Sequence, residues 1–177
     1  MDLSQSQIKL ILTQQGLLAM KHPVHHVGVK KFSGKIIYSP KDETKVSITF
    51  EAETRSFENI DSEMGDFERK GFQDILHAKV LESDKYPKIT FKSLSVSEVK
   101  SNGDQRSFTL SGDLTLHGTT KRVTFPVNAT IDKDVLRASG EAKLKQSDYG
   151  MVPYQGGLGT IKIADELKIT FVIVAKQ

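Results

Sequence analysis

Five histidines have the best claim to chemistry in this 177-residue chain: His22, His25, His26, His77 and His117. Imidazole is the commonest protein metal ligand and a frequent general base. Their spacing argues against a site built from neighbours. On an extended strand His22 and His26 share a face but stand ~13 Å apart at the usual rise per residue. His25 and His26 are adjacent and point to opposite faces. A metal would need His77 or His117 brought in from far along the chain, so no metal is expected. His117 precedes Gly118 in what reads as a turn, where a structural role outweighs a catalytic one.

The carboxylates Asp61, Glu63, Asp66 and Glu68 form the densest acidic cluster. Paired carboxylates do acid–base work when burial splits their pKa values. Here they are interleaved with Arg69 and Lys70 on a short expected helix, which is the pattern of a solvated face. Gly156-Gly157-Leu158-Gly159-Thr160-Ile161-Lys162 is rich in glycine but follows a loop rather than a strand, and matches neither phosphate-loop pattern. The chain has no cysteine, hence no thiolate nucleophile, thiolate metal site or disulfide framework. It also lacks a Gly-x-Ser-x-Gly elbow. These residues give no reason to expect an enzyme or a bound cofactor.

A net charge of +3 is mildly basic. With no basic run interleaved with aromatics, nucleic acid is not an expected partner. The longest apolar run, Ile169 to Ala175 with Thr170 inside it, falls far short of the roughly 20 residues of a membrane helix. The N-terminal residues Met1 to Gln7 lack the basic start and apolar stretch of a signal peptide. A cytoplasmic protein is expected from the sequence as given, and a periplasmic one if a signal has been removed.

The elements that position these residues are mostly strands. Phe108, Leu110, Gly112, Leu114 and Leu116 alternate with polar residues, and Val123, Phe125 and Val127 resume the apolar face after a turn at His117-Gly118. Gly112 leaves a gap on that face. Val46, Ile48, Phe50 and Ala52 give the cleanest alternation in the chain, and Leu167, Ile169, Phe171 and Ile173 share one parity. Ser101-Asn102-Gly103-Asp104 reads as a hairpin turn, Pro40-Lys41-Asp42-Glu43 as another, and Pro23 as a stop. Only 57–78 breaks the period of two. One or two short helices are expected there, capped at Asp61 or Ser62 and joined near Gly65 or Gly71. About eight strands in a single domain, 1–177, suit an antiparallel barrel or sandwich. An eight-stranded barrel is either filled by its own side chains or holds one slender ligand.

Several segments resemble the YceI-like family of lipocalin-like proteins. Tyr86-Pro87-Lys88-Ile89-Thr90-Phe91-Lys92-Ser93 is similar to its Tyr-Pro strand. Gly112-Asp113-Leu114-Thr115-Leu116-His117-Gly118-Thr119-Thr120-Lys121 is similar to its His-Gly hairpin. Asp148-Tyr149-Gly150 and Phe32-Ser33-Gly34-Lys35-Ile36 resemble two further segments. Gln146 stands where many members carry a basic residue. The resemblance implies an all-β, extended eight-stranded antiparallel lipocalin-like barrel with a short helical insert. It also implies a non-catalytic binding protein that holds an isoprenoid-tailed amphiphile, a quinone or a polyprenyl lipid. Wall contacts are then expected from Phe50, Phe91, Leu110, Leu114, Phe125, Tyr149 and Phe171. Phe67, Phe72 and Leu76 of the insert would close one end, with the polar head near the Gly-rich loop or the insert. The alternative is a ligand-free structural or stress-related interaction module with a solid core. Association into a homodimer is compatible with either.

Overall fold

The computed structural model describes residues 1–20, 23–39, 42 and 44–176. His22 and three residues of the expected 40–43 turn lie outside them. In chain order the elements are β1 (Gln7–Gln15), β2 (Val24–Val29), β3 (Phe32–Tyr38), β4 (Val46–Glu53), β5 (Phe57–Asn59), α1 (Asp66–Ile75), β6 (Lys88–Asn102), β7 (Gln105–Leu116), β8 (Thr119–Asp132), β9 (Val135–Lys145), β10 (Gln155–Gly156) and β11 (Ile161–Lys176). They form one curled antiparallel sheet in the order β3-β4-β6-β7-β8-β9-β11-β1-β2-β5, with β10 paired to β11.

The eleven strands among the described residues reconcile with eight through two bends. Only Lys30 and Lys31 separate β2 from β3, and a single 3-10 turn at Thr54–Ser56 separates β4 from β5. The bends face each other: Lys30 N–H donates to Ser56 O at 3.0 Å, Lys31 N–H to Ser56 Oγ at 3.0 Å, and Glu53 N–H to Lys31 O at 3.1 Å. The pairs β2–β5 and β3–β4 are therefore two halves of one bent hairpin. Counting each bent strand once, and leaving aside the two-residue β10, gives eight. The wall runs from that hairpin through β6 to β9, then β11, and returns through β1 to β2.

The periodicity of two sets which side chains face inward. Val46, Ile48, Phe50 and Ala52 of β4 face the interior, as do Leu167, Ile169, Phe171 and Ile173 of β11. In β6 the parity changes twice, because extra residues enter between Ser93 and Ser95 and between Ser97 and Lys100. Leu94 is pushed outward at the first bulge, and Glu98 takes φ +54° at the second. Bulges of this kind twist a long strand enough to wrap a barrel.

Three stretches differ from the sequence expectation. Pairing does not stop at Pro23: β2 begins at the next residue, and Gln14 N–H donates to Pro23 O at 2.9 Å. Leu17–Met20 is a 3-10 turn rather than a strand-like run. The insert is one helix, entered from Gly65, that passes straight through Gly71 and tightens into a π-helical turn at Leu76–Val80. Asp61 does not cap it, because its carboxylate is engaged elsewhere.

Candidate functional site

The interior holds a cavity of about 240 Å³. Among the described residues its wall is apolar apart from Tyr38, Arg106 and Gln146. At one end the lining residues are buried: Leu76, Leu81, Ile89, Leu116, Leu144, Gln146 and Met151. At the other end Tyr38, Val46, Val99, Arg106, Phe108, Ile131 and Leu136 are only half-buried. The cavity is thus sealed at the end that carries the helical insert. Its mouth is at the opposite end, among the turns after β3, β6 and β8.

Three aromatic rings narrow the cavity midway. Phe91 and Phe125 have ring centroids 5.8 Å apart, and Phe125 and Phe171 likewise 5.8 Å, the second pair edge-on. Two of these rings lie where a neighbouring strand carries no side chain. A Cβ on Gly112 would sit 2.3 Å from the Phe91 ring, and one on Gly140 2.5 Å from the Phe171 ring. The gap at Gly112 is therefore filled by a ring from the adjacent strand. The waist separates two packed regions. The larger runs toward the insert. The smaller centres on Val96, Leu110 and Val127 near the mouth.

Of the residues expected to contact a ligand, Phe50, Leu76, Phe91, Leu110, Leu114, Phe125 and Phe171 line this cavity. Three stand elsewhere. Phe67 is 90% exposed in the first turn of α1. Phe72 packs on the edge of the core, its ring 5.2 Å from that of His25. Tyr149 is 2% exposed but sits within the sealed floor rather than on the cavity surface. Helical spacing groups Phe67 and Phe72 with Leu76, but of the three only Leu76 reaches the cavity. The following residues Val80 and Leu81, which the sequence reading passed over, line the cavity beside it. That end is closed by side chains that are apolar apart from Gln146. The polar lining groups Tyr38 and Arg106 are at the mouth. Gln146, the position that departs from the family pattern, is 1% exposed and donates Nε2–H to Ala164 O at 2.8 Å.

Burial, and after it the Asp148 carboxylate, pushes the Tyr149 phenol up to about 12. A raised phenol favours the fold fully below its ordinary value of 10, and that contribution is lost as pH rises from 10 toward 12. Ultraviolet titration is expected to show the Tyr149 phenol ionising near pH 12, together with alkaline unfolding.

The described histidines are fasteners of the plug. His117 Nε2 lies 2.6 Å from Glu82 Oε2, and its ring packs at a tilt of 47° against Tyr86 with centroids 4.1 Å apart. His117 and Gly118 have φ of +51° and +73°, as a type I′ turn requires at both central positions. A Cβ on Gly118 would meet the Tyr86 ring at 2.7 Å. The Tyr-Pro strand and the His-Gly turn are thus one contact. Asp61 holds the other side. It accepts Asn59 Nδ2–H at 2.9 Å, His26 N–H at 3.0 Å, His26 Nδ1–H at 2.8 Å and His25 Nδ1–H at 3.2 Å. Burial alone would raise this carboxyl, but the bonds from Asn59, His26 and His25 outweigh it and hold Asp61 below the usual carboxylate range. Arg69 closes the arrangement by donating to Asn59 O, Asp61 O and Met64 O. Among the described residues no three metal-type ligands converge, and no helix is long and apolar enough to cross a membrane.

A family profile described as the YceI-like domain matches residues 1–175. A UPF0312 protein of Vibrio cholerae serotype O1 is 30% identical over 121 residues, which are 64% of this chain and 58% of that protein. The chain thus matches less than two thirds of the length of that curated relative. Among solved structures, BcnA of Burkholderia cenocepacia superposes with a TM-score of 0.76 at 23% identity, covering 99% of both chains. A polyisoprenoid-binding domain from Saccharophagus degradans, implicated in plant cell wall breakdown, gives 0.69 at 12% identity, covering 97% of this chain and 93% of its own. The YCEI protein of Campylobacter jejuni gives 0.60 at 17% identity, covering 85% and 84%. At these identities the structural likeness establishes the fold.

Proposed function

We propose, from the premise that the chain belongs to the YceI-like family, that it is a non-catalytic carrier for an amphiphile with an isoprenoid tail. The observation that carries this reading is the apolar cavity of about 240 Å³, open at one end. A void of that size is costly. At ~24 cal/mol per Å³ it forfeits about 6 kcal/mol of packing, comparable to the whole stability of many domains. A tail that fills it recovers much of that loss. The volume exceeds the ~150 Å³ of a dry engineered cavity that accepts benzene, so a branched five-carbon unit fits without rearrangement. Each such unit contributes roughly 4 kcal/mol at ~0.8 kcal/mol per buried carbon. About two units fill a void of that size. A third, against the half-buried apolar side chains of the mouth, brings the sum to about 12 kcal/mol. That offsets a low-end association cost of about 4 kcal/mol and leaves micromolar affinity.

The tail lies along the axis past the waist, and the polar head rests at the mouth near Tyr38 and Arg106. A quinone and a polyprenyl lipid both fit this description. The cavity weighs against the alternative of a solid barrel serving only as an interaction module. The polyisoprenoid-binding domain of similar fold supports a lipid cargo.

Native mass spectrometry and organic extraction of freshly purified protein test the reading. An isoprenoid of a few hundred daltons is expected to co-purify, or the emptied protein is expected to take up farnesol at micromolar concentration. Protein that is empty and refuses both quinones and polyprenyl alcohols would end the proposal.

A further inference from the structure

His77 stands at the junction between α1 and the π-helical turn whose Leu76 and Val80 seal the cavity. Its protonation state can be read from its neighbours. The Gln73 side chain bridges α1 to β5. Its Oε1 accepts Asn59 N–H at 2.8 Å and its Nε2–H donates to Phe57 O at 2.8 Å. Both partners are backbone groups with fixed roles, so the amide cannot be turned round without losing two hydrogen bonds. The same Nε2 lies 3.0 Å from His77 Nε2. An amide nitrogen only donates, so His77 Nε2 must accept with its lone pair. The ring proton is then on Nδ1, facing Ser83 Oγ at 3.2 Å, a residue 2% exposed. The bridge therefore requires a neutral imidazole in the Nδ1–H tautomer.

We propose that His77 is an acid-sensitive latch on the plug: protonation at Nε2 sets N–H against N–H, breaks the Gln73 bridge to β5 and frees the segment that closes the cavity floor. The charged groups around it come from every packed element. They are Arg55 from the turn after β4, Glu58 from β5, Asp74 from α1 and Asp84 from the loop beyond the π-helical turn, with Arg55 and Asp84 themselves paired. Burial first, and then the Arg55 guanidinium, hold the imidazole below its ordinary value of 6.5 against the pull of the three carboxylates. The unfolded or unlatched chain thus takes up the proton before the latched one does. The latch is at full strength above pH 6.5 and weakens as pH falls below it. Acidification is the signal, and cargo release from the floor is its consequence. Only that consequence rests on the carrier reading.

Two measurements on the full chain decide it. ¹⁵N NMR of the histidine rings is expected to show His77 as the neutral Nδ1–H tautomer at pH 7. An imidazolium, or the Nε2–H tautomer, at that pH overturns the latch without any variant. Hydrogen exchange from pH 7.5 to 5, corrected for intrinsic rates, is expected to show protection of residues 66–80 falling about fivefold or more relative to β7. The fall should be absent in His77→Gln, which cannot titrate. An unchanged profile in the wild type, or an equal fall in the variant, overturns the proposal. Farnesol uptake is followed in parallel. A protein that takes up none at any pH counts against the carrier reading alone, since the exchange result stands without cargo.

Discussion

Replacing Leu114 by tryptophan is expected to cut farnesol affinity at least 100-fold while the protein keeps its far-ultraviolet circular dichroism and melts within a few degrees of the wild type. Leu114 lies on β7 opposite Phe91 of β6 and projects into the cavity beside the aromatic waist. Its same-face neighbour two residues back is Gly112, already covered by the Phe91 ring. An indole at 114 has only the cavity to expand into, so it fills space that the tail would occupy. Inserting bulk into a packed core costs roughly 1–3 kcal/mol, but here the void absorbs much of it. Isothermal titration with farnesol and a thermal melt check both halves. Full uptake by the variant would mean that the tail lies elsewhere.

The second large effect is on stability. Gly112→Ala is expected to destabilise the protein by about 3 kcal/mol, measured by urea unfolding with the slope unchanged. The new methyl would sit 2.3 Å from one atom of the Phe91 ring, 2.4 Å from another and 2.7 Å from the Lys92 carbonyl oxygen. The ring can turn away only by leaving its place at the waist, and the carbonyl belongs to a paired strand. Adding Phe91→Leu to the same chain should restore part of the loss by removing the ring. The remainder measures the backbone clash. If the double variant is no more stable than Gly112→Ala alone, the ring is not the obstacle. Gly140→Ala is expected to behave similarly, because its methyl would meet the Phe171 ring at 2.5 Å and the Pro126 carbonyl oxygen at 2.7 Å.

The fold was legible where one face of a strand is apolar without interruption. β4, β7, β8 and β11 follow that rule, and their inward residues were named by parity alone. β2 was not legible, because its inward positions are His25, Val27 and Val29 behind a proline. A buried imidazole satisfied by Asp61 and Gln14 reads as polar in the sequence. The bulges of β6 hide in the same way, since each extra residue reverses the parity that follows. At the site, the wall was readable and the closure was not. Which turn of an amphipathic helix faces inward depends on its docking angle, and that angle is set by side-chain bonds of Gln73, Arg69 and Asp61 that no spacing of apolar residues reveals. The meaning of Gly112 was also out of reach. A missing side chain announces space but not the ring from the next strand that takes it.

The pairing of β1 with β11 joins residues as distant as Ile8 and Phe171. Such a wall has high contact order, and folds of this kind assemble in milliseconds to seconds rather than microseconds. On the ribosome β1 waits without that neighbour until β11 has emerged. The greasy inner faces stay open to the surroundings for that interval. Any cargo captured during synthesis would be enclosed as the seam zips shut, without needing to thread the mouth.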